Sequence, residues 1–211
     1  MTNPLQQNEQ WFLERAGCLT ASVAAAAMLR TARGLPTAAY ETELNRVVAE
    51  RFTKDVSSHY TSPAMQWGID HEDEARDAYE IETGNIVELV GFIKHPTIPF
   101  FGASPDGLVG KDGLIEIKCP ETSTHIDRIR QGVVPDRYKP QMLVQLLCTG
   151  RKWVDFVDYD PRIDDEFKEL RLFVVRYEPT AEELETAKLR CIEFLEAAKE
   201  RFEKTLSQYR S

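Results

Sequence analysis

Residues 104–120 read SPDGLVGKDGLIEIKCP, and this run decides the fold. Two apolar-flanked segments, 100–109 and 114–119, stand on either side of Lys111-Asp112-Gly113. Asp-Gly between strand-type runs signals a β-hairpin. Along the second strand Glu116 and Lys118 are two residues apart and share a face, while Ile115 and Ile117 turn the other way into a core. Closing the hairpin brings Asp106 back toward Glu116, so two carboxylates and an ammonium converge at a sheet end. Two hard oxygen donors beside a fixed cation suit Mg²⁺ or Mn²⁺ and a developing phosphate charge.

An acid, any residue, then Lys is a weak pattern by itself, and Glu166-Phe167-Lys168 repeats it within the acidic stretch 161–169. That copy reads as a solvated loop or a frayed helix start. The first copy sits on an apolar strand, with an Asp at hairpin distance that follows Pro105. Its bland alternative is a surface hairpin with one Glu116–Lys118 salt bridge. A helix expected over 62–84 bears on the choice. Ser62-Pro63 opens it and Gly84 stops it. Its expected buried stripe is Met65, Ile69, Glu72, Ala75 and Tyr79. Glu72 thus falls in the apolar face, away from Asp70, Asp73, Glu74 and Asp77. A lone buried carboxylate costs several kcal/mol unless paired or metal-bound. Glu72 is therefore expected as a third acidic ligand, with pairing to a nearby Arg or to Trp67 as the alternative.

Ordered motifs extend the pattern: Trp11-x-x-x-Arg15-x-Gly17-x-x-Thr20-Ala21-Ser22; Trp67-Gly68-x-x-x-Glu72-x-x-Ala75-Arg76; Ser104-Pro105-Asp106-Gly107-Leu108; Glu116-x-Lys118-Cys119-Pro120; Tyr138-x-x-Gln141; and Tyr159-Asp160-Pro161-Arg162. Together they resemble the phage lambda exonuclease family, or YqaJ-type viral recombinases, within the PD-(D/E)xK nuclease superfamily. The resemblance implies a single nuclease domain over 1–211 and a Mg²⁺-dependent exonuclease. Such an enzyme digests the 5′ strand of linear duplex DNA to mononucleotides and leaves 3′ tails for annealing. It further implies that Asp106, Glu116, the Ile117 carbonyl and Glu72 hold two Mg²⁺ ions, with Mn²⁺ as a substitute. Lys118 would then orient the attacking water, and Gln141 would sit beside it, with Gln145 as the polar alternative. Arg15, Ser22 and Ser104 would grip a 5′-phosphate. A homotrimeric ring and a phage single-strand annealing partner are likewise implied by kinship alone.

These positions also have independent physical readings. Lys is a compact cation whose pKa is expected to fall when desolvated near metals. Ser22 is expected at the start of a helix over 22–30, where a phosphate is welcome, and ordinary capping is its alternative. A guanidinium suits a terminal phosphate, with a salt bridge to Glu9 or Glu14 as the alternative for Arg15. The competing functions are an endonuclease or junction resolvase on the same core, and a non-catalytic DNA-end-binding module.

The chain has 211 residues and a net charge of −9, which is awkward for a DNA-binding protein unless positive charge is concentrated locally. Between 122 and 153 the bases Arg128, Arg130, Arg137, Lys139, Arg151 and Lys152 face only Asp127 and Asp136, and a DNA track is expected along Arg128, Arg130, Arg137 and Lys139. A solvated face is the alternative. Cys18, Cys119, Cys148 and Cys191 lack the spacing of a zinc site, a disulfide framework or an iron–sulfur nuclease. No secretory signal or bilayer-length apolar run is present, so a cytoplasmic protein that does not enter membranes is expected.

Helices are expected near 8–16, 22–30, 37–52, 62–83, 121–131, 138–148 and 180–207. Strands are expected near 86–95, 100–109, 114–119, 154–159 and 171–177. The order implies an α/β fold, a mixed central sheet flanked by helices. Thr180-x-x-Glu183 is a capping box opening a last helix that packs through Leu184, Ala187, Leu189, Ile192, Leu195 and Phe202.

Overall fold

Caps and apolar spacing place the helices close to where the sequence predicts them. The computed structural model describes residues 3–56 and 62–210. In chain order these form α1 (Glu9–Arg15), β1 (Leu19–Thr20), α2 (Ala24–Met28), α3 (Ala38–Thr53), α4 (Pro63–Thr83), β2 (Val87–Glu88), β3 (Ile93–Lys94), β4 (Phe101–Ala103), β5 (Gly107–Val109) and β6 (Gly113–Lys118). They continue with α5 (Thr122–Gln131), α6 (Lys139–Thr149), β7 (Trp153–Tyr159), β8 (Leu172–Tyr177) and α7 (Ala181–Arg210). The Ser62 hydroxyl accepts the Met65 amide at the start of α4, and Gly84 ends it at φ 69°. The Thr180–Glu183 box closes in both directions, at 3.2 and 2.8 Å. No helix among the described residues is long and apolar enough to cross a membrane.

The central feature is a five-stranded mixed sheet in the order β2-β5-β6-β7-β8. The expected hairpin is its β5–β6 pair, with Leu108 opposite Leu114. β6 runs parallel to β7, which sets Lys118 beside Asp158. Helix α4 covers one face, burying Ala75 and Tyr79 against Val87, Ile115, Ile117 and Val157. Helices α6 and α7 cover the other, through Met142, Leu146 and Ala187 against Leu114, Val154 and Phe156. A strand buried on both faces should be apolar throughout. Glu116 on β6 and Asp158 on β7, both fully buried, break that rule.

A single sheet was the simpler expectation, and the chain builds two. The segments expected at 86–95 and 100–109 are each cut in half. β3 and β4 join β1, which the sequence pattern does not reveal, in a second sheet of order β1-β4-β3. The cut in the second segment falls at Ser104-Pro105-Asp106. Proline donates no ladder hydrogen bond and disfavours a continuing strand. Gly107 resumes pairing where a Cβ would lie 2.1 Å from the Val87 side chain, so only glycine lets β2 come this close.

Two packing expectations fail on helices, one near the start of α4 and one within α7. Met65 is exposed because the first turns of α4 extend past the sheet, and Leu189 is exposed because α7 buries Cys191, Phe194 and Ala198 instead. The 161–169 stretch contains the exposed 3₁₀ turns of Asp165–Leu170, so Glu166 and Lys168 stay in solvent as expected.

Candidate active site

Strand alternation turns Glu116 away from α4 and toward α6, where its carboxylate is wholly buried. Its Oε1 accepts hydrogen bonds from Lys118 Nζ and from Gln141 Nε2, the latter at 2.6 Å. Its Oε2 accepts from Gln145 Nε2 at 2.5 Å. Gln141 and Gln145 lie one turn apart on α6 and so reach the same group. Both Gln residues therefore hold Glu116. Gln145 is fully buried, its Oε1 without a partner among the described residues, and Gln141 is half-buried.

Asp106 is drawn in by the break between β4 and β5. Its Oδ2 accepts the Ile117 amide at 2.7 Å, tying the turn to the middle of the Glu116–Lys118 segment. Burial, reinforced by the charges of Glu116 and Glu72, pushes the Asp106 carboxyl well above the usual carboxylate range. Burial also raises Glu72, against the pull of Arg76 and Lys118. The acids of the hairpin and of α4 are thus electrostatic neighbours.

The bland alternatives are nevertheless partly realised. Glu72 accepts from Arg76 Nη2 at 3.0 Å, and Glu116 pairs with Lys118, although in the interior rather than on a surface. Among the described residues no three His, Cys, Asp or Glu side chains are gathered closely enough to hold an ion. The oxygens of Glu116 are turned to amide and ammonium donors, and that of Glu72 to a guanidinium. The fall in the Lys118 pKa is expected beside bound metals, and the neighbouring acids by themselves act the other way on this group. Burial opposes its charge, but Glu116 and Asp106 outweigh burial and hold the ammonium above its ordinary value.

A second cluster adjoins the first through the same turn. Arg15 donates to Ser104 Oγ at 3.1 Å and to Ser22 Oγ at 3.4 Å, while Trp11 Nε1 donates to Ser104 Oγ at 2.9 Å. The guanidinium stacks 4.0 Å from the Trp11 ring. Among the described residues Arg15 makes no ion pair, so the Glu9 and Glu14 alternatives are not realised. Burial, and secondarily Arg46, lowers its pKa to about 10, as expected of a cation short of anionic partners. Ser22 lies in the 3₁₀ turn Ala21–Val23 rather than at a helix cap. Its hydroxyl faces Thr20 and Arg15, so capping is not its role.

The proposed basic track is corrected at one position. Arg128 is buried, with one nitrogen on Asp158 and the other 2.9 Å from the Tyr138 hydroxyl, because Asp158 needs a cation inside the sheet. Arg130 and Lys139 remain accessible but pair with Asp127 at 3.7 Å and Asp136 at 2.7 Å. Arg137 is exposed over the Tyr138 ring. Outside the proposed track, Arg151 is occupied by the carbonyls of Val109, Gly110 and Gly113. A wide groove of about 1400 Å³ between α1, α3, the 94–101 loop and α7 contains none of the residues of either cluster.

Behind Arg128, His125 is buried with Nδ1 against Asp158 and Nε2 2.7 Å from the Leu170 carbonyl. Oxygens at both nitrogens require both to be protonated. Burial opposes that charge, but Asp158 and the Leu170 carbonyl raise the pKa. A raised folded-state value stabilises the fold fully below about pH 6.5 and loses that contribution as pH climbs through the raised value. His125→Gln is therefore expected to cost about 3 kcal/mol at pH 6 and distinctly less at pH 9. Chemical denaturation of both proteins at the two pH values measures this, and an equal loss at both would show that His125 is neutral.

Several residues that serve these clusters escape sequence reasoning. Gln6 donates to the carbonyls of Val90 and Pro105, bracing the Asp106 turn from the N-terminal segment. Asp158 and His125 carry one legible signal, charge at apolar-strand and amphipathic-helix positions, but their pairing is tertiary.

The YqaJ-like viral recombinase domain profile matches residues 10–152. Among solved structures, the chain is similar to LHK-Exo, an alkaline exonuclease from Laribacter hongkongensis. Identity is 40% over 96% of this chain and 98% of that one, with a TM-score of 0.86. LHK-Exo in complex with dAMP gives the same identity and coverage with a TM-score of 0.87. A phage related exonuclease from Haemophilus somnus 129PT is 14% identical over 91% of this chain and 96% of that one. Its TM-score of 0.68 shows a shared fold. No curated protein matches the sequence. The matched span contains Arg15, Ser22, Glu72, Ser104, Asp106, Glu116, Lys118 and Gln141, and the chain belongs to the YqaJ-like viral recombinase family.

Proposed function

We propose that the chain is a divalent-metal-dependent DNA exonuclease. It removes mononucleotides from the 5′ strand of linear duplex and leaves 3′ tails for recombination by annealing. The observation that carries this reading is the Ser104-Pro105-Asp106 turn. Its first residue joins an Arg15 that makes no ion pair among the described residues, and its last is pinned beside Glu116 and Lys118. A grip on a terminal phosphate thus lies two residues, at most about 7 Å of chain, from a carboxylate cluster. That separation suits cleavage one nucleotide from the end. The similarity to an alkaline exonuclease, solved also with dAMP, supports the same reading.

The donor chemistry of the acids suits hard divalent cations, although among the described residues their oxygens are not gathered about one point. Three carboxylates, two of them with raised pKa values, face one ammonium, and Arg76 divides itself between Glu72 and Asp73. Asp106, Glu116, the Ile117 carbonyl and Glu72 would hold two Mg²⁺ ions, with Mn²⁺ able to replace them. Bound there, the ions supply Lewis-acid activation of water and of the phosphate. Lys118 holds the water's orientation and offsets charge developing on the phosphate. Gln141, with one amide hydrogen already on Glu116, keeps that acid turned. Arg15, Ser22 and Ser104 seat the terminal 5′-phosphate, and Arg130, Arg137 and Lys139 meet the duplex. A trimeric ring and an annealing partner belong to the same proposal.

The test is digestion of linear duplex labelled at either end, with and without Mg²⁺, and with closed circular duplex as control. Mononucleotide release from the 5′ label alone, only with Mg²⁺, is expected. Cutting of closed circles would replace the exonuclease with an endonuclease or resolvase, and end binding without release would leave a binding module.

A further inference from the structure

We infer that Tyr138 is a positioning residue whose ring, packed on Phe156 beside the buried Arg128–Asp158–His125 row, holds the Lys118 ammonium at the reacting phosphate. The inference rests on the nuclease reading of Lys118. Tyr138 closes the 3₁₀ turn Asp136–Tyr138 directly ahead of α6, the helix that supplies Gln141 and Gln145. Its ring centroid is 5.4 Å from Lys118 Nζ, within reach of a cation–π contact. The ring also packs 5.3 Å from Phe156 in the sheet core. Its hydroxyl accepts from Arg128 Nη2, whose other nitrogen is on Asp158, the register partner of Lys118. Asp158 in turn is held by His125, and His125 by the Leu170 carbonyl.

Arg128 is itself held by Asp158, so a drift of the ring would cost both its packing on Phe156 and its hydrogen bond to a fixed guanidinium. Such an anchor answers a specific need. Lys118 has a flexible four-carbon stem, and its partner Glu116 is also the acid proposed to turn toward metal. An aromatic face holds an ammonium without consuming any of its three donors. The ring therefore holds the amine in place without taking up the N–H groups that Glu116 leaves for water and phosphate. Arg128 and Arg137 also lie near the ring, at 5.2 and 4.7 Å. Arg128 is fixed at the hydroxyl, and Arg137 is exposed, so Lys118 is the cation for which this ring matters in the reaction.

The experiment places phenylalanine and then mono-, di- and trifluorophenylalanine at position 138 of the full chain. Single-turnover kcat and KM are measured on 5′-phosphorylated linear duplex. Tyr138→Phe keeps the ring and is expected within about threefold of the parent. Each added fluorine withdraws electron density from the ring face at nearly constant shape. kcat should therefore fall stepwise, reaching on the order of tenfold, with KM unchanged. A flat series overturns the inference. A loss confined to KM overturns it in favour of a DNA contact, and a full loss already at Tyr138→Phe assigns the effect to the hydroxyl. Lys118→Met is run alongside. If it retains normal turnover, the nuclease reading of Lys118 fails; if it is dead while the series is flat, only the role of Tyr138 fails.

Discussion

Asp106→Ala, Glu116→Gln and Lys118→Ala are each expected to lower digestion of linear duplex by on the order of a thousandfold or more. Glu72→Gln should follow in the same direction. If the proposed function holds and these groups act on one phosphate, their losses should not add in combination. Stability should move little for Asp106→Ala, because relief of a carboxyl held where its charge is disfavoured is offset by the Ile117 amide losing its acceptor. Glu116 is replaced by Gln rather than Ala because Gln141, Gln145 and Lys118 would otherwise lose a buried acceptor. Mg²⁺ should raise the melting temperature of the parent and not of Asp106→Ala. Normal turnover in any of the three main variants, or an Mg²⁺ shift that survives Asp106→Ala, would remove the metal-site proposal.

Arg15→Ala should abolish the preference for 5′-phosphorylated over 5′-hydroxyl ends, an effect of about a hundredfold on phosphorylated substrate. A charged hydrogen bond is worth about 1.5–3 kcal/mol, and about 1.4 kcal/mol is tenfold. The local fold should survive, because Trp11 still holds Ser104 and no ion pair among the described residues is broken. Initial rates on matched ends measure the effect. Equal losses on both ends would make Arg15 structural.

Much of this was legible in residue order. Asp112-Gly113 between apolar runs announces the β5–β6 hairpin, and period two sorts Ile115 and Ile117 from Glu116 and Lys118. Ser62, Pro63 and Gly84 bound α4 because capping and left-handed φ are local chemistry. The second sheet was not legible. β1 and β3 are two residues each, too short to show a period, and they exist only because β4 pairs with both. Arg128 misled for a related reason. A base in a polar run looks the same whether it meets solvent or a buried Asp158.

The sequence by itself determined the hairpin, the helix limits, and the ordered motifs that contain the Asp106, Glu116 and Lys118 cluster. Spacing and caps act within a few residues, and the ordered motifs are written in the chain. Only the tertiary structure decided the partners. Parallel pairing of β6 with β7 set Asp158 beside Lys118, and α6 laid two amides on Glu116. The broken strand turned Asp106 back onto Ile117. Those arrangements depend on where distant segments meet when the core closes, and on the cost of leaving any charge in that core alone.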